Sequence, residues 1–262
     1  MATGADSTTS SVSALKALGC TFISRYTSEQ SWALTPSEAQ ALTAAGIAIV
    51  SNYEHYTTDW QGGHAQGVTN ANTGLRVATA CGMPAGRPIY FSVDMDADPT
   101  AVVNSGYFQG INSVLGAGRT GVYASTGVCK ALKAAGLVQW TWRTMSTGWN
   151  GGAGVPSDFN VMQIYPPFNN TYDHNESVTA DFGQWFVGGP PIPPPSGGGS
   201  LSAADVQAVW AYKGPGDSPD AHQSLLTTRD NTTALIAAVA KAAGLVSLMQ
   251  TEAGKIKNKL GA

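Results

Sequence analysis

Charge is what this chain has least of. Asp, Glu, Lys and Arg make up 12% of its 262 residues, about half the usual share. The formal net charge of −3 gives no electrostatic reason to expect binding to nucleic acid or to an anionic membrane. No apolar run approaches the roughly 20 residues of a membrane-spanning helix. With 43% apolar residues, the composition is typical of a globular protein.

Cysteine is also scarce, and several catalytic motifs are missing. Cys20, Cys81 and Cys129 are too few and too scattered for a disulfide framework or a zinc ribbon, so we expect small buried hydrophobes. There is no G-x-S-x-G or H-E-x-x-H motif, as a serine hydrolase or a zincin would need. The acids and histidines of "EHYTTDWQGGH" (54–64) lack metal-site spacing and are expected to be polar or substrate-facing. The sequence therefore predicts no metal and no cofactor.

The first residues, "MATGADSTTSS", have neither a basic n-region nor an apolar h-region. A Sec-type signal peptide is therefore not expected. If the target lies outside the cell, this pattern predicts synthesis in the cytoplasm without such a signal. The protein would then reach the cell envelope by holin release or in a delivered particle.

The sharpest change in composition is the Pro/Gly/Ser-rich stretch at 188–200, which predicts a linker. It separates a main domain, 1–187, from a tail, 201–262. Apolar residues recur along the tail at helical spacing and suit a helix that packs on itself or on a partner. Oligomerisation, docking onto a phage or injection particle, wall attachment and a solvated appendage all fit this pattern.

Within the main domain, short β-rich runs alternate with helical patterns, which predicts a parallel sheet with helical crossovers. Because no G-x-G-x-x-G or Walker-type loop follows a strand, a doubly wound open sheet is disfavoured. We expect a (β/α)8-like TIM barrel, irregular at its C-terminal end because helical patterns are not evident after 145. The predicted strands are 2–6, 21–27, 47–54, 88–94, 120–125, 140–145 and 160–166; the predicted helices are 11–19, 35–46, 64–81, 99–115 and 128–137.

Acidic residues follow several of these predicted strands. Asp6, Glu54 and the pair Asp94 and Asp96 all fall at strand ends, although the domain is poor in charge. Active sites of TIM barrels lie at the C-terminal ends of the strands, so these carboxyl groups should meet at one rim. Asp98 precedes a proline at the start of a helix and is expected to be an N-cap.

Paired carboxyl groups at a barrel rim suit glycoside hydrolysis. One carboxyl, with its pKa raised by burial or by a like charge, protonates the leaving oxygen, and a second stabilises or attacks the oxocarbenium-like transition state. The alternative is that the acids form ion pairs with Arg25, Arg87 or Arg143 and do nothing else. Aromatic residues near the strand ends could form a platform for sugar rings or belong to the core: Tyr26, Tyr53, Tyr56, Trp60, Tyr123, Trp142 and Tyr165.

Five segments together resemble a known family. They are "GAD…LKALGCTFISRYTS", "LTPSEAQALTAAGIAIVSNYE", "CGMPAGRPIYFSVDMDAD", "GVYAS…ALKAAGLVQWTW" and "QIYPPFNNTYDHNES…DFGQW". In this order they resemble a glycoside-hydrolase-like domain of actinobacterial secreted proteins and of their phages' lysins, related to the family 25 (Chalaropsis-type) lysozymes. The resemblance covers about residues 4 to 186. It implies a (β/α) barrel that acts on peptidoglycan or another cell-envelope glycan.

The resemblance also implies roles for individual residues. Family 25 lysozymes carry an Asp in the first strand, matched by Asp6, and a D-x-E pair after the fourth, matched by Asp94 and Asp96. Because aspartate stands where those lysozymes have the general-acid glutamate, Glu54 is the alternative acid. The candidate catalytic residues are thus Asp6, Glu54, Asp94 and Asp96. Candidate substrate-binding residues, on family-like positions or among the aromatics, are Arg25, Tyr53, Tyr123, Trp142, Gln163, Asp173 and Asn175.

The function expected from the sequence is a lysozyme-like glycoside hydrolase of the cell wall, of the endolysin or particle-associated lysin type. Its partner would be bacterial cell-wall glycan. A barrel that keeps a glycan groove without turnover, as a binding or structural module, is the alternative. A metal-dependent amidase is a third hypothesis, which loss of activity with a chelator would support.

Overall fold

The computed structural model describes residues 1–189, which form a closed barrel of eight strands. The strands are β1 (Thr3–Asp6), β2 (Phe22–Tyr26), β3 (Ala48–Tyr53), β4 (Ile89–Ser92), β5 (Thr120–Ala124), β6 (Trp140–Arg143), β7 (Val161–Ile164) and β8 (Asp173–Ser177). Each strand pairs with the next in chain order, and β8 closes the barrel on β1. The predicted barrel is confirmed. The linker beyond 189 and the tail at 201–262 lie outside the described residues, and these domain limits stay predictions.

Six α-helices belong to the part of the chain that the structure describes. They are α1 (Val12–Ala17), α2 (Pro36–Ala44), α3 (Gly63–Ala80), α4 (Pro99–Asn104), α5 (Tyr107–Leu115) and α6 (Thr126–Ala134). Up to residue 189, α6 is the last α-helix, and only a short 3-10 turn, Pro156–Asp158, stands between β6 and β7. Within that range no helix is both long and apolar enough to cross a bilayer.

β8 is the element that the sequence did not predict. Strands β1 to β7 run parallel, whereas β8 pairs antiparallel with both β1 and β7. An antiparallel strand needs only a short connection, while a parallel crossover needs a dozen or more residues. The eight residues between β7 and β8 suit an antiparallel return, so the barrel closes there without a helix.

The predicted helix over 99–115 is instead two helices, α4 and α5. The chain breaks between them at Gly106, whose φ of 82° lies in the left-handed region. Glycine adopts this conformation without the penalty that a Cβ atom imposes. Asp98 caps α4 as expected, because its side chain accepts a hydrogen bond of 2.7 Å from the backbone N–H of Ala101.

The start of α2 differs from expectation in one detail. Thr35 is the N-cap, and its hydroxyl accepts a hydrogen bond of 3.2 Å from the backbone N–H of Glu38. Glu38 stands three residues after this N-cap, where a capping box would turn its carboxylate back to the backbone N–H of Thr35, but the carboxylate binds the Arg25 guanidinium instead. A charge-assisted bidentate ion pair is stronger than the capping bond it replaces.

The alternation of side chains along each strand divides the apolar residues into two clusters. One fills the barrel and includes Phe22, Tyr90, Trp140 and Trp142. The larger one lies between the strands and the helices. All three cysteines are free and buried, which confirms the prediction that they are small core residues.

Helices α3 and α5 approach closely enough to require glycine on both sides. A Cβ atom at Gly67 would lie 2.0 Å from the carbonyl oxygen of Tyr107, and one at Gly110 would lie 2.1 Å from that of His64. Both obstacles are backbone atoms, so neither can move without displacing a helix. The spacing of these two helices therefore depends on both glycines.

We expect Gly67→Ala to lower the free energy of unfolding by about 1–3 kcal/mol, because overpacking displaces backbone. Chemical denaturation followed by circular dichroism measures it. Gly118→Ala is the matched control, since a Cβ atom there meets nothing within 4 Å. Equal stability of the two variants would contradict the close approach.

Candidate active site

The carboxyl ends of the parallel strands and the first residues of β8 meet at one rim of the barrel. Because β8 is antiparallel, it begins where its neighbours end, and Asp173 stands in register with Asp6 on β1. Glu54 directly follows β3, and Asp94 follows β4 by two residues. The structure thus brings Asp6, Glu54, Asp94 and Asp173 together. The charges of Asp6, Asp94 and Asp173 each raise the pKa of at least one other carboxyl group of this set.

Asp6 is held by two side-chain amides. Its Oδ2 accepts hydrogen bonds of 2.9 Å from Gln163 Nε2 and of 2.5 Å from Asn175 Nδ2. Burial, and then the charge of Asp173, raise the pKa of Asp6 to about 7, although both amide bonds act in the opposite direction. Burial has the larger effect because a charged carboxylate loses its hydration there.

The two amides are themselves held in orientation by aromatic side chains. Gln163 Oε1 accepts from the Tyr123 hydroxyl at 2.9 Å, and Asn175 Oδ1 accepts from the Trp142 indole at 2.9 Å. With its oxygen engaged, each amide can only present its NH₂ group to the carboxylates. Gln163 Nε2 also reaches Asp173 Oδ2 at 3.2 Å. Tyr123 and Trp142, expected to bind substrate, are buried in the barrel and support these amides.

Glu54 and Asp94 have perturbed pKa values for related reasons. Burial raises the pKa of Glu54 to about 7, with a contribution from the Asp94 charge and partial compensation by a hydrogen bond from Ser92. Burial, and then the charge of Asp173, raise the pKa of Asp94. Burial also raises that of Asp173. Clustered perturbed groups at a barrel rim are typical of catalytic sites.

Tyr26, at the end of β2, belongs to this site although the sequence marked it only as one aromatic among several. Burial raises its pKa well above the usual range, and the charges of Glu54, Asp6, Asp94 and Asp173 all add to the effect. Its hydroxyl is therefore a neutral hydrogen-bond donor among four carboxyl groups. The sequence could have marked Tyr26 by strand alternation, because a residue two positions after Ser24 lies on the same, barrel-facing side of β2.

Two expected site residues face away from the barrel. Arg25 lies between two inward-facing residues of β2 and is 2% exposed; its guanidinium binds Glu38. Tyr53 precedes Glu54 and donates a hydrogen bond of 3.1 Å to Asn70 on α3. Side chains alternate along a strand, so a residue next to an inward-facing one faces the helices. The structure does not bring Arg25 or Tyr53 to the carboxyl cluster.

Asp96 is also separate from the cluster. Its side chain is exposed, and Oδ1 accepts a hydrogen bond of 2.9 Å from the backbone N–H of Asn150, in the loop after β6. Residues two apart share one face only within a strand. Because β4 ends at Ser92, Asp94 and Asp96 lie in different environments. One faces the buried rim and the other holds a surface loop.

The alternative in which the arginines neutralise the rim acids does not describe this site. Arg87 pairs with Asp181, and Arg143 donates to the carbonyl oxygens of Ala153 and Gln163. Arg25 pairs with Glu38, as described above. In residues 1–189, no group of three His, Cys, Asp or Glu side chains is placed to hold a metal ion.

A closed barrel with a cluster of perturbed carboxyl groups at the C-terminal rim defines the class: a barrel of the glycoside hydrolase type. The family model described as "Rv2525c-like, glycoside hydrolase-like domain" matches residues 13–186. The chain belongs to this family. The expected family resemblance and the expected kind of enzyme, a glycoside-hydrolase-like hydrolase, are confirmed.

Two comparisons concern Rv2525c of Mycobacterium tuberculosis, whose name designates a candidate peptidoglycan hydrolase. The chain is 33% identical to it over 188 residues, which cover 66% of this chain and 78% of the relative. The crystal structure of Rv2525c, a Tat-secreted protein, in complex with L-tartrate matches with a TM-score of 0.64 and 30% identity, covering 70% of this chain and 98% of that one. A Bacillus stearothermophilus protein shares the fold, with a TM-score of 0.50 and 17% identity over 68% of this chain and 96% of its own.

The expectation about localisation is wrong. It derived cytoplasmic synthesis, followed by holin release or particle delivery, from the lack of a Sec-type pattern in the first residues. The relative from Mycobacterium tuberculosis is a Tat-secreted protein. A relative of this chain is thus secreted by the Tat route, and the missing Sec-type pattern therefore does not indicate holin release or particle delivery.

The raised pKa of Glu54 makes stability depend on pH in a defined direction. The pKa rises from 4.5 to about 7 on folding, so the folded protein binds more protons than the unfolded chain between these values. Stability should fall as the pH rises through this window, and the cost of the buried charge is complete above about pH 7. We expect Glu54→Gln to raise the melting temperature at pH 8 by several degrees, with a much smaller change at pH 4.

Differential scanning calorimetry at both pH values measures the effect. Asp98→Asn is the matched control, because it removes an exposed carboxyl group of the same rim region and asparagine is an equally good N-cap. A gain for Glu54→Gln that is equal at both pH values would show that buried charge is not its cause.

Proposed function

We propose that the protein hydrolyses a glycosidic bond of bacterial cell-wall glycan, with peptidoglycan as the substrate. The observation that carries this proposal is the group of four carboxyl residues at the barrel rim, two of which have pKa values raised to about 7. The match to a candidate peptidoglycan hydrolase over 78% of its length supports the substrate class. Action outside the cytoplasm is supported by the structural comparison, because that relative is Tat-secreted.

In the proposed mechanism, Glu54 is the general acid. Its pKa of about 7 keeps the carboxyl group largely protonated in weakly acidic solution and about half protonated in neutral solution, as proton donation to a leaving oxygen requires. The Gln163 and Asn175 amides donate their hydrogen bonds to Asp6 and Asp173 and not to Glu54. Its proton is therefore free to pass to the substrate.

Asp94 is the second carboxylate of the pair, and Asp6 and Asp173 complete the negative rim. The amide donors favour the charged forms of Asp6 and Asp173. Asp173, and the fraction of Asp6 that is ionised given its pKa of about 7, are therefore suited to stabilising positive charge at the anomeric carbon. The charges of all four raise the pKa of Tyr26, so its hydroxyl stays protonated beside the rim. Asp96 takes no part in this mechanism.

Glu54→Gln and Asp94→Asn should each lower the release of reducing ends from purified cell walls by at least about 10²-fold, the usual contribution of a positioned acid or base. Asp96→Asn is the matched control and should retain activity within a few-fold, because its carboxyl group only holds the loop at Asn150. Turbidity clearing and reducing-end analysis, with and without a chelator, provide the measurement.

Three results would contradict this mechanism. Activity lost in Asp96→Asn but kept in Glu54→Gln would identify the pair implied by the lysozyme resemblance as the working one. Binding of walls by folded wild-type protein, without any release of reducing ends, would favour the glycan-binding module. Activity abolished by the chelator would instead favour the amidase.

The pH dependence should show the titration of Glu54. Because the acid must be protonated, kcat/KM should fall about tenfold for each pH unit above a midpoint near 7. The limb on the acidic side should reflect protonation of Asp94, whose pKa is also raised. A steady-state profile on a soluble glycan fragment tests this. A rate that stays constant to pH 9 would exclude Glu54 as the acid.

A lysin of the phage or particle-associated type is the finer form of this proposal, and its support is the family resemblance of residues 4 to 186. Attachment or oligomerisation through the tail at 201–262 is likewise a prediction from the sequence. Neither bears on the chemistry proposed at the rim.

A further inference from the structure

A cavity of about 600 Å³ opens between the loop that follows β1 and the loop that follows β2. Its volume falls within the range of small-molecule binding sites. The two loops form its walls. Together with the N-cap of α2, they present mostly hydroxyl groups and one indole. The residues are Thr8, Thr9, Ser10, Ser31, Trp32 and Thr35.

One buried guanidinium organises this cavity. Arg25 donates from Nη1 to the carbonyl oxygen of Ser7 at 2.8 Å and from Nη2 to that of Trp32 at 2.9 Å. Its Nε and Nη2 bind the Glu38 carboxylate at 2.5 and 3.1 Å. Both walls are thus tied to a side chain that is 2% exposed. A site held in this way loses little entropy when a ligand binds.

The lining of the cavity combines one indole with several hydroxyl groups, and its two charged residues, Arg25 and Glu38, neutralise each other. The Trp32 side chain is 42% exposed, which is unusual for so large an apolar group. The floor is the Arg25–Glu38 pair, whose charges cancel, and Ser10 donates a further hydrogen bond of 2.6 Å to Glu38. A pyranose ring matches this surface, with its C–H face on the indole and its hydroxyl groups toward the Ser and Thr side chains.

A peptide stem matches the cavity less well. Its carboxylates would need a free cationic partner, and the Arg25 guanidinium already donates to two carbonyl groups and a carboxylate. The cavity therefore favours a neutral saccharide over a charged peptide.

The cavity also lies next to the catalytic rim. Thr8 follows Asp6 by two residues, so at most about 7 Å of extended chain separates the cavity wall from this carboxyl residue.

We propose that this cavity is a saccharide subsite of the active site, with Trp32 as its platform and Arg25 as the residue that positions its two walls. The proposal rests on the proposed function, since it names where a neighbouring sugar of the same glycan binds. It also gives Arg25 a role that is compatible with its orientation away from the barrel.

The test measures binding, so that it does not depend on turnover. Full-length Glu54→Gln protein is titrated by calorimetry with peptidoglycan glycan strands freed of their stem peptides, and separately with a disaccharide fragment. Adding Trp32→Ala should weaken binding of the strands about tenfold and leave the disaccharide affinity nearly unchanged. Trp32→Phe, which keeps an aromatic face, should restore most of the affinity for the strands.

Phe186→Ala is the matched control. Its side chain is 39% exposed, close to the value for Trp32, and it lines a different cavity, together with Met1. It should not change the affinity. Thermal unfolding of each variant shows whether the fold is retained.

Three outcomes would overturn the subsite: equal binding of strands by Trp32→Ala and its parent, failure of Trp32→Phe to restore binding, or binding of free stem peptides that depends on Trp32. Failure of the proposed function gives a different result. In that case wild-type protein releases no reducing ends from walls, while binding of strands still depends on Trp32.

Discussion

The hydrogen bonds that the Gln163 and Asn175 amides donate to a single carboxylate oxygen of Asp6 connect the parts of the barrel on which the site depends. They join β1 to β7 and β8 and engage a carboxyl group whose pKa burial raises to about 7. Without donors, a buried carboxylate would cost several kcal/mol. With them, Asp6 can stay inside the rim, and its charge in turn contributes to the raised pKa values of Tyr26 and Glu54.

This arrangement requires the reversed direction of β8. If β8 ran parallel to its neighbours, its first residues would lie at the opposite end of the barrel, and Asp173 and Asn175 could not meet Asp6. The short return from β7 leaves no room for a crossover helix, and the antiparallel strand satisfies the backbone of β1 and β7 together. The irregular end of the barrel is thus the part that completes the carboxyl cluster.

The alternation of inward- and outward-facing side chains along each strand explains which predicted site residues the structure brings together. Asp6, Glu54 and Asp94 share the inward-facing side with Gln163, Asp173 and Asn175, and the structure brings them together. Arg25 and Tyr53 are each one residue out of phase and face the helices, where Arg25 binds Glu38 and Tyr53 binds Asn70. Counting inward and outward positions along β2 and β3 would have excluded both and marked Tyr26 instead.

The sequence by itself determined strands β1 to β7 with helical segments between the first six, the barrel class, the N-cap at Asp98 and the convergence of Asp6, Glu54 and Asp94 on one rim. These features depend on periodicity and capping, which act over a few neighbouring residues. Only the tertiary structure decided the direction of β8, the break at Gly106, the separation of Asp96 from Asp94 and the partners of Arg25. Each of these depends on contacts between residues far apart in the chain, such as Asp96 with Asn150, and local patterns carry no information about them.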